Sequence, residues 1–246
     1  MAGFIKRLDR FLALRSSDLD RELGVNTTRV IPAKRIRTLS PRAADNVGYV
    51  ATPKCVVTQV LDRVPVEGAH FLDLGCGKGA VLAVAASYPF ASVRGIEFAP
   101  ALAATARRNL TRLGKSAEVI EGDATSPALL PGMNIVWFYN SFLAAAQVDL
   151  IANLEQELRD GTKQLLLIYL NPVETPLWDA SPALRRQFAM KVSAPSNDSG
   201  TVTDRHDLIV WASYNFPLPP EPSAAATCRV TIPQFGCEIT LPETQG

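Results

Sequence analysis

His70-Phe-Leu-Asp-Leu-Gly-Cys-Gly-Lys-Gly-Ala-Val-Leu82 runs from an apolar stretch into alternating glycines and back into an apolar stretch. The first five residues predict a buried strand, and the residues from Gly79 onward predict a helix. Between them, Gly75 and Gly77 remove side chains that would hold the backbone away from a ligand, and Gly79 permits close packing of the helix on the strand. A strand, a glycine turn and a helix in this order form the first unit of an open α/β sheet, whose ligands lie at the carboxyl ends of the strands.

The alternation continues in both directions along the chain. Short apolar runs predict strands at His70–Leu74, Ser92–Glu97, Glu118–Glu121, Asn134–Tyr139 and Gln164–Leu170, with helices beginning near Gly79, Pro100, Pro127 and Phe142. Pro100 suits a first helical turn, where its missing N–H costs nothing. In 101–113 the Ala and Leu residues share one face, and Arg107, Arg108 and Arg112 form a solvated one. After Asn171 come Pro172, Pro176, Pro182 and Pro195, then strand-like runs at Gln187–Val192 and Asp207–Tyr214 around a turn-rich segment, 196–203. The fold class is therefore α/β, a mostly parallel central sheet flanked by helices, with a terminal antiparallel hairpin. Three regions follow: an N-terminal helical appendage, 1–47; the α/β domain, 48–214; and a Pro-rich tail, 215–246, with a possible extra hairpin at 228–241.

The chain of 246 residues is 47% hydrophobic, enough for one such domain with a sizeable core. Its 25 Lys and Arg balance 24 acidic residues, so no overall charge points to nucleic acid or an anionic membrane. No apolar run reaches the roughly 18–20 residues that cross a bilayer. Cys55, Cys76, Cys228 and Cys237 have neither metal-ligand spacing nor the density of a disulfide scaffold. They fit a reducing cytoplasm, with Cys228 and Cys237 as a pair of buried thiols and no metal site. Residues 1–17 are basic and amphipathic, but Asp9, Asp18, Asp20 and Glu22 favour a packing helix over a transit peptide.

Gly75-x-Gly77-x-x-Ala80 also satisfies the looser dinucleotide fingerprint, with Glu97 about 20 residues onward to hold ribose hydroxyls. Asp73 separates the two ligands. A carboxylate two residues before the first glycine is poor company for a pyrophosphate, but it suits the ammonium of a methionine moiety. Through Asp73-Leu-Gly-Cys-Gly-Lys-Gly79, Gly95-Ile-Glu97-Phe98 and Glu121-Gly-Asp123-Ala124, residues 48–214 resemble the class I S-adenosylmethionine-dependent methyltransferases, which are Rossmann-like. The resemblance implies S-adenosylmethionine as cofactor. It puts Gly75 and Gly77 along the methionyl part, Asp73 at its amino group, Glu97 on the ribose hydroxyls, Phe98 on the adenine face and Asp123 at the adenine amino group. Gly48-Tyr-Val-Ala-Thr-Pro53 is similar to the segment that covers the methionine end in many of these enzymes, which makes Tyr49 and Thr52 candidate contacts. Thr52 also reads as an N-cap with Pro53 at the first helical position.

Methyl transfer from a sulfonium is an in-line displacement governed by alignment and exclusion of water, so a strong base is not required. That agrees with a chain holding only two histidines, His70 and His206. The acceptor is expected beyond the fourth strand, at Val136-Trp-Phe-Tyr-Asn-Ser-Phe142. Asn140 resembles the asparagine of the Asn-Pro-Pro-Tyr/Phe element of amino-group methyltransferases, although Ser141 replaces the first proline. Asn140 is the candidate catalytic residue, and an N-cap on the following helix is its other reading. The segment is also similar to that of non-SET histone-lysine methyltransferases, but no basic tract accompanies it. The sequence leaves three functions: methyl transfer to an unidentified acceptor, such as an amino group of a protein or small molecule; an NAD-dependent oxidoreductase; and a methyltransferase-like binding module without catalysis.

Overall fold

A computed structural model describes residues 20, 24–27, 30–37, 48–126, 128, 130–159, 163–193 and 205–216. Strands β1 (His70–Leu74), β2 (Ser92–Glu97), β3 (Glu118–Glu121), β4 (Ile135–Tyr139), β5 (Leu166–Leu170), β6 (Leu184–Ser193) and β7 (Arg205–Ser213) form one sheet in the order β3-β2-β1-β4-β5-β7-β6. The first five run parallel, and β7 pairs antiparallel with both β5 and β6. Helices α1 (Lys54–Leu61), α2 (Ala80–Ala85), α3 (Pro100–Arg112), α4 (Ala144–Leu158) and α5 (Thr175–Asp179), with a short 3-10 helix at Ala33–Arg35, complete the described elements. The expected α/β class and terminal antiparallel pair are borne out.

β4 and β5 are continuous apolar runs because the sheet is covered on both faces. Phe71, Ile135, Trp137 and Ile168 meet α1, α2 and α3 on one side through Val56, Val60, Val81 and Ala106. Leu72, Val136, Phe138 and Leu167 meet Leu150 and Leu154 of α4 on the other. The alternation that makes the strands legible thus divides two cores. From β1 the chain builds outward through β2 and β3, then returns to β4 on the other side of β1. The crevice this leaves at the carboxyl ends of β1 and β4 is the place where open α/β sheets bind ligands.

Some expectations shift. The helix expected from Phe142 begins at Ala144, and the strand expected from Gln164 begins at Leu166. Gly79 gives close contact with a helix rather than a strand, since a Cβ there would lie 3.1 Å from the Ala106 Cβ in α3. Arg107 is not simply solvated; its guanidinium donates to the Val119 carbonyl at 2.9 and 3.2 Å. The amphipathic segment 1–17, the helix start at Pro127, the turn 196–203 and the hairpin 228–241 lie outside the described residues.

Gly95 of β2 shows how closely α2 is seated. An added Cβ would lie 2.6 Å from Leu82 Cδ1 and 2.7 Å from Cys76 Cβ. Gly95→Ala is therefore expected to lower the free energy of unfolding by about 1–3 kcal/mol through overpacking. Urea denaturation measures it, and an undiminished midpoint would mean that α2 yields without cost.

Candidate functional site

A cavity of about 190 Å³ opens in the crevice between β1 and β4. Residues 48–52 make one wall, Asp73, Gly75 and Cys76 the floor, and Trp137 with Tyr139, Asn140 and Ser141 the opposite wall. Among the described residues, no lysine or arginine lines it.

Asp73 is buried, and no hydrogen bond to its carboxylate is found among the described residues. Burial, and then the negative charge of Glu97, push its carboxyl well above the usual carboxylate range. A bound cation would relieve both effects. Glu97 lies at the end of the adjacent strand and has a different fate. Its carboxylate accepts the Gly77 N–H at 2.8 Å and the Ala99 N–H at 2.8 Å. Burial raises its pKa to about 7, opposed by the N–H groups of Ala99, Gly77 and Phe98. Glu97 therefore closes the glycine turn onto β2 and the start of α3.

The turn is covered from the N-terminal side. A Cβ on Gly77, whose φ is +55°, would lie 2.1 Å from Tyr49 Cε2, so the tyrosine ring fills the space the glycine leaves. Ile31 and Tyr49 exchange backbone hydrogen bonds of 2.9 Å, and the Tyr49 hydroxyl donates to the Thr27 carbonyl. Buried Lys78 donates to Asn26 Oδ1 at 3.0 Å, with its ammonium 5.2 Å from the Tyr49 ring centre. Asn109 ties the same segment down by donating to the carbonyls of Asn26 at 3.0 Å and Lys78 at 2.9 Å.

Of the residues singled out in the sequence, Tyr49, Thr52, Asp73, Gly75 and Asn140 line one cavity. Gly77, Glu97, Phe98 and Asp123 do not. Asp123 accepts the N–H and the hydroxyl of Thr125 at 2.9 and 2.7 Å, within its own loop. The capping alternatives are corrected. α1 has Pro53 as its N-cap and α4 has Leu143, both without a side-chain capping bond, so neither Thr52 nor Asn140 caps a helix. Asn140 instead adopts a left-handed φ of +36°, and its Oδ1 accepts the Tyr169 hydroxyl at 3.0 Å. The Tyr169 oxygen in turn accepts Gln147 Nε2 at 3.1 Å and the Val173 N–H at 3.2 Å. Sequence reasoning missed Tyr169 and Trp137. The second was reachable, because in-register pairing of β1 with β4 sets Trp137 opposite Asp73.

Residues 71–163 match the family model described as a methyltransferase domain. The release factor glutamine methyltransferase of Vibrio cholerae serotype O1 is 39% identical over 74 residues, 29% of this chain and 26% of that protein. The chain thus spans about a quarter of the length of that curated relative. Among solved structures, the PH0226 protein from Pyrococcus horikoshii OT3 is similar with TM-score 0.50 and 14% identity, covering 65% of this chain and 88% of that one. The structure described as conversion of a disulfide bond into a thioacetal group during echinomycin biosynthesis gives TM-score 0.51 and 14% identity, over 65% and 81%. At such identity these structures speak to the fold alone.

The buried carboxylates give stability a definite pH dependence. The folded protein holds the Glu97 proton up to about pH 7, whereas an ordinary glutamate releases it near 4.5. Stability is fully present below the lower value and is lost as pH rises through the window. Asp73 acts in the same direction. Chemical denaturation from pH 4.5 to 7 should show wild type losing on the order of 3 kcal/mol relative to Glu97→Gln. Parallel profiles for the two proteins would mean that Glu97 is ionised throughout.

Proposed function

We infer that this chain is a class I, Rossmann-like S-adenosylmethionine-dependent methyltransferase, a reading its domain match and fold support, and that it moves a methyl group by in-line displacement to an acceptor that enters at Asn140. The observation that carries this reading is the Asp73 carboxylate, buried without a hydrogen bond in a cavity at the carboxyl end of β1. A buried carboxylate of this kind fits a ligand with an ammonium group. Among the described residues the same cavity presents no basic side chain to the pyrophosphate of NAD. Neither the oxidoreductase nor the non-catalytic alternative is favoured by the domain match.

When bound, S-adenosylmethionine supplies an electrophilic methyl group on a sulfonium. The chain supplies placement. Asp73 holds the ammonium, Gly75 and Gly77 admit the methionyl part, and Tyr49 and Thr52 wall its end. Glu97 serves the ribose hydroxyls, Phe98 the adenine face and Asp123 the adenine amino group. For the ribose to reach Glu97, the Tyr49 ring has to leave Gly77, which it now covers. Asn140 orients the acceptor, for which an amino group of a protein or small molecule is our reading. The Vibrio cholerae relative is named for glutamine in a release factor, a nitrogen acceptor on a protein. No described helix is long and apolar enough to cross a membrane, and the buried cysteines Cys55 and Cys76, neither in a disulfide, suit a reducing cytoplasm.

Calorimetry tests the cofactor. S-adenosylmethionine and S-adenosylhomocysteine should both bind, and NAD at least about a hundredfold more weakly, the scale of one buried charge placed against the wrong partner. Tight NAD binding without response to S-adenosylhomocysteine would sink the reading.

Asn140→Asp tests the acceptor side. Aspartate tolerates the left-handed backbone and keeps an oxygen for the Tyr169 hydroxyl, so the change replaces the amide N–H donors with a negative charge. Transfer from labelled S-adenosylmethionine to its acceptor in lysate is expected to fall by about a hundredfold. Affinity for S-adenosylhomocysteine should stay within about twofold. Undiminished labelling would remove Asn140 from the mechanism.

A further inference from the structure

Trp137 presents a second polar group that the fold leaves unmatched. Its side chain is fully buried, and no partner for its indole Nε1–H is found among the described residues. Such groups are rare in folded proteins, because a donor shut away from water loses its hydrogen bonds without replacement. The other buried indoles are matched: Trp178 donates to Gln147 Oε1 at 2.8 Å and Trp211 to Asp179 Oδ1 at 2.9 Å. Trp137 also lines the cavity that holds Asp73.

The two unmatched groups are neighbours by construction. Parallel pairing of β1 and β4 sets Asp73 directly opposite Trp137, and both side chains fall on the same face of the sheet. Adjacent strands are spaced by about 4.8 Å. An acceptor and a donor side by side on one face and lining one cavity match a zwitterion whose ammonium and carboxylate are attached to one carbon. Among the described residues no lysine or arginine lines the cavity, and the unmatched indole N–H is a donor that the wall offers the negative end.

We propose that the Trp137 indole N–H receives the α-carboxylate of the cofactor's methionine end while Asp73 receives its ammonium. This rests on S-adenosylmethionine being the ligand. Trp137 is then a cofactor-binding residue, and the pair reads the amino-acid end of the ligand as a zwitterion.

The test uses S-adenosylhomocysteine and its decarboxylated analogue, which keeps the amine and lacks the carboxylate. Wild type should bind the first about tenfold or more tightly than the second, as for a hydrogen bond to a charged group. Trp137→Phe should lose that factor for S-adenosylhomocysteine and nothing for the analogue, while its circular dichroism spectrum stays that of the wild-type fold. In labelled wild-type protein, the Trp137 indole N–H resonance should move downfield with S-adenosylhomocysteine and not with the analogue, while those of Trp178 and Trp211 stay in place. This readout needs no variant. Equal losses for both ligands, or an unmoved Trp137 resonance at saturation, overturn the proposal while leaving the cofactor reading intact. Failure of wild type to bind either ligand overturns both.

Discussion

Two carboxylates end adjacent strands inside an otherwise apolar sheet, and the cost of keeping Asp73 and Glu97 there governs this end of the molecule. A buried carboxylate is tolerated when it is neutral or when donors surround it. Glu97 takes the second course, with the N–H groups of Gly77 and Ala99 on its two oxygens. Those bonds fold the glycine turn against β2 and set the first turn of α3. Asp73 has no such donors among the described residues, and burial, then the charge of Glu97, pushes its carboxyl well above the usual carboxylate range. Two residues of the same chemistry thus diverge by environment, one bound into the backbone and the other facing the cavity without a described hydrogen-bond partner.

This division bears on how far the site could be read in advance. The strand ends at Leu74 and Glu97 were legible because an apolar run broken by glycine or acid marks where a strand leaves the core. The sheet class followed from the same alternation. The covering of Gly77 by Tyr49 was not legible. It joins irregular segments through Thr27, Asn26 and Asn109, at separations of up to 83 residues, with no periodicity to announce it. The reading of Gly77 as a point of close approach holds physically, but in this structure the group that approaches is a side chain of the same protein.

Asn140 marks another limit. An asparagine shortly before an alanine-rich helix has the composition of a cap, and local sequence cannot distinguish a cap from a residue tethered elsewhere. The deciding partner, Tyr169, lies 29 residues onward on the next strand. Trp137 failed to stand out for a different reason. A tryptophan inside an apolar strand reads as core, and only the lack of a partner for its N–H distinguishes it from Trp178 and Trp211.

Asn140 and Asn171 both take left-handed backbone angles, φ +36° and +50°, just past the paired strand ends Tyr139 and Leu170. Each amide is held by a tyrosine of the neighbouring strand: Asn140 by Tyr169 of β5, and Asn171, donating at 2.7 Å, by Tyr139 of β4. Asparagine tolerates this conformation better than most residues, yet it persists only where the surroundings enforce it. Here the enforcement is reciprocal, since turning either amide away breaks a bond to the opposite strand. Gln147 and Val173 both donate to the Tyr169 oxygen, which leaves the tyrosine proton for Asn140. The amide of Asn140 is thereby fixed with its oxygen toward β5 at the edge of the cavity, so the left-handed turn after β4 is held by the sheet itself.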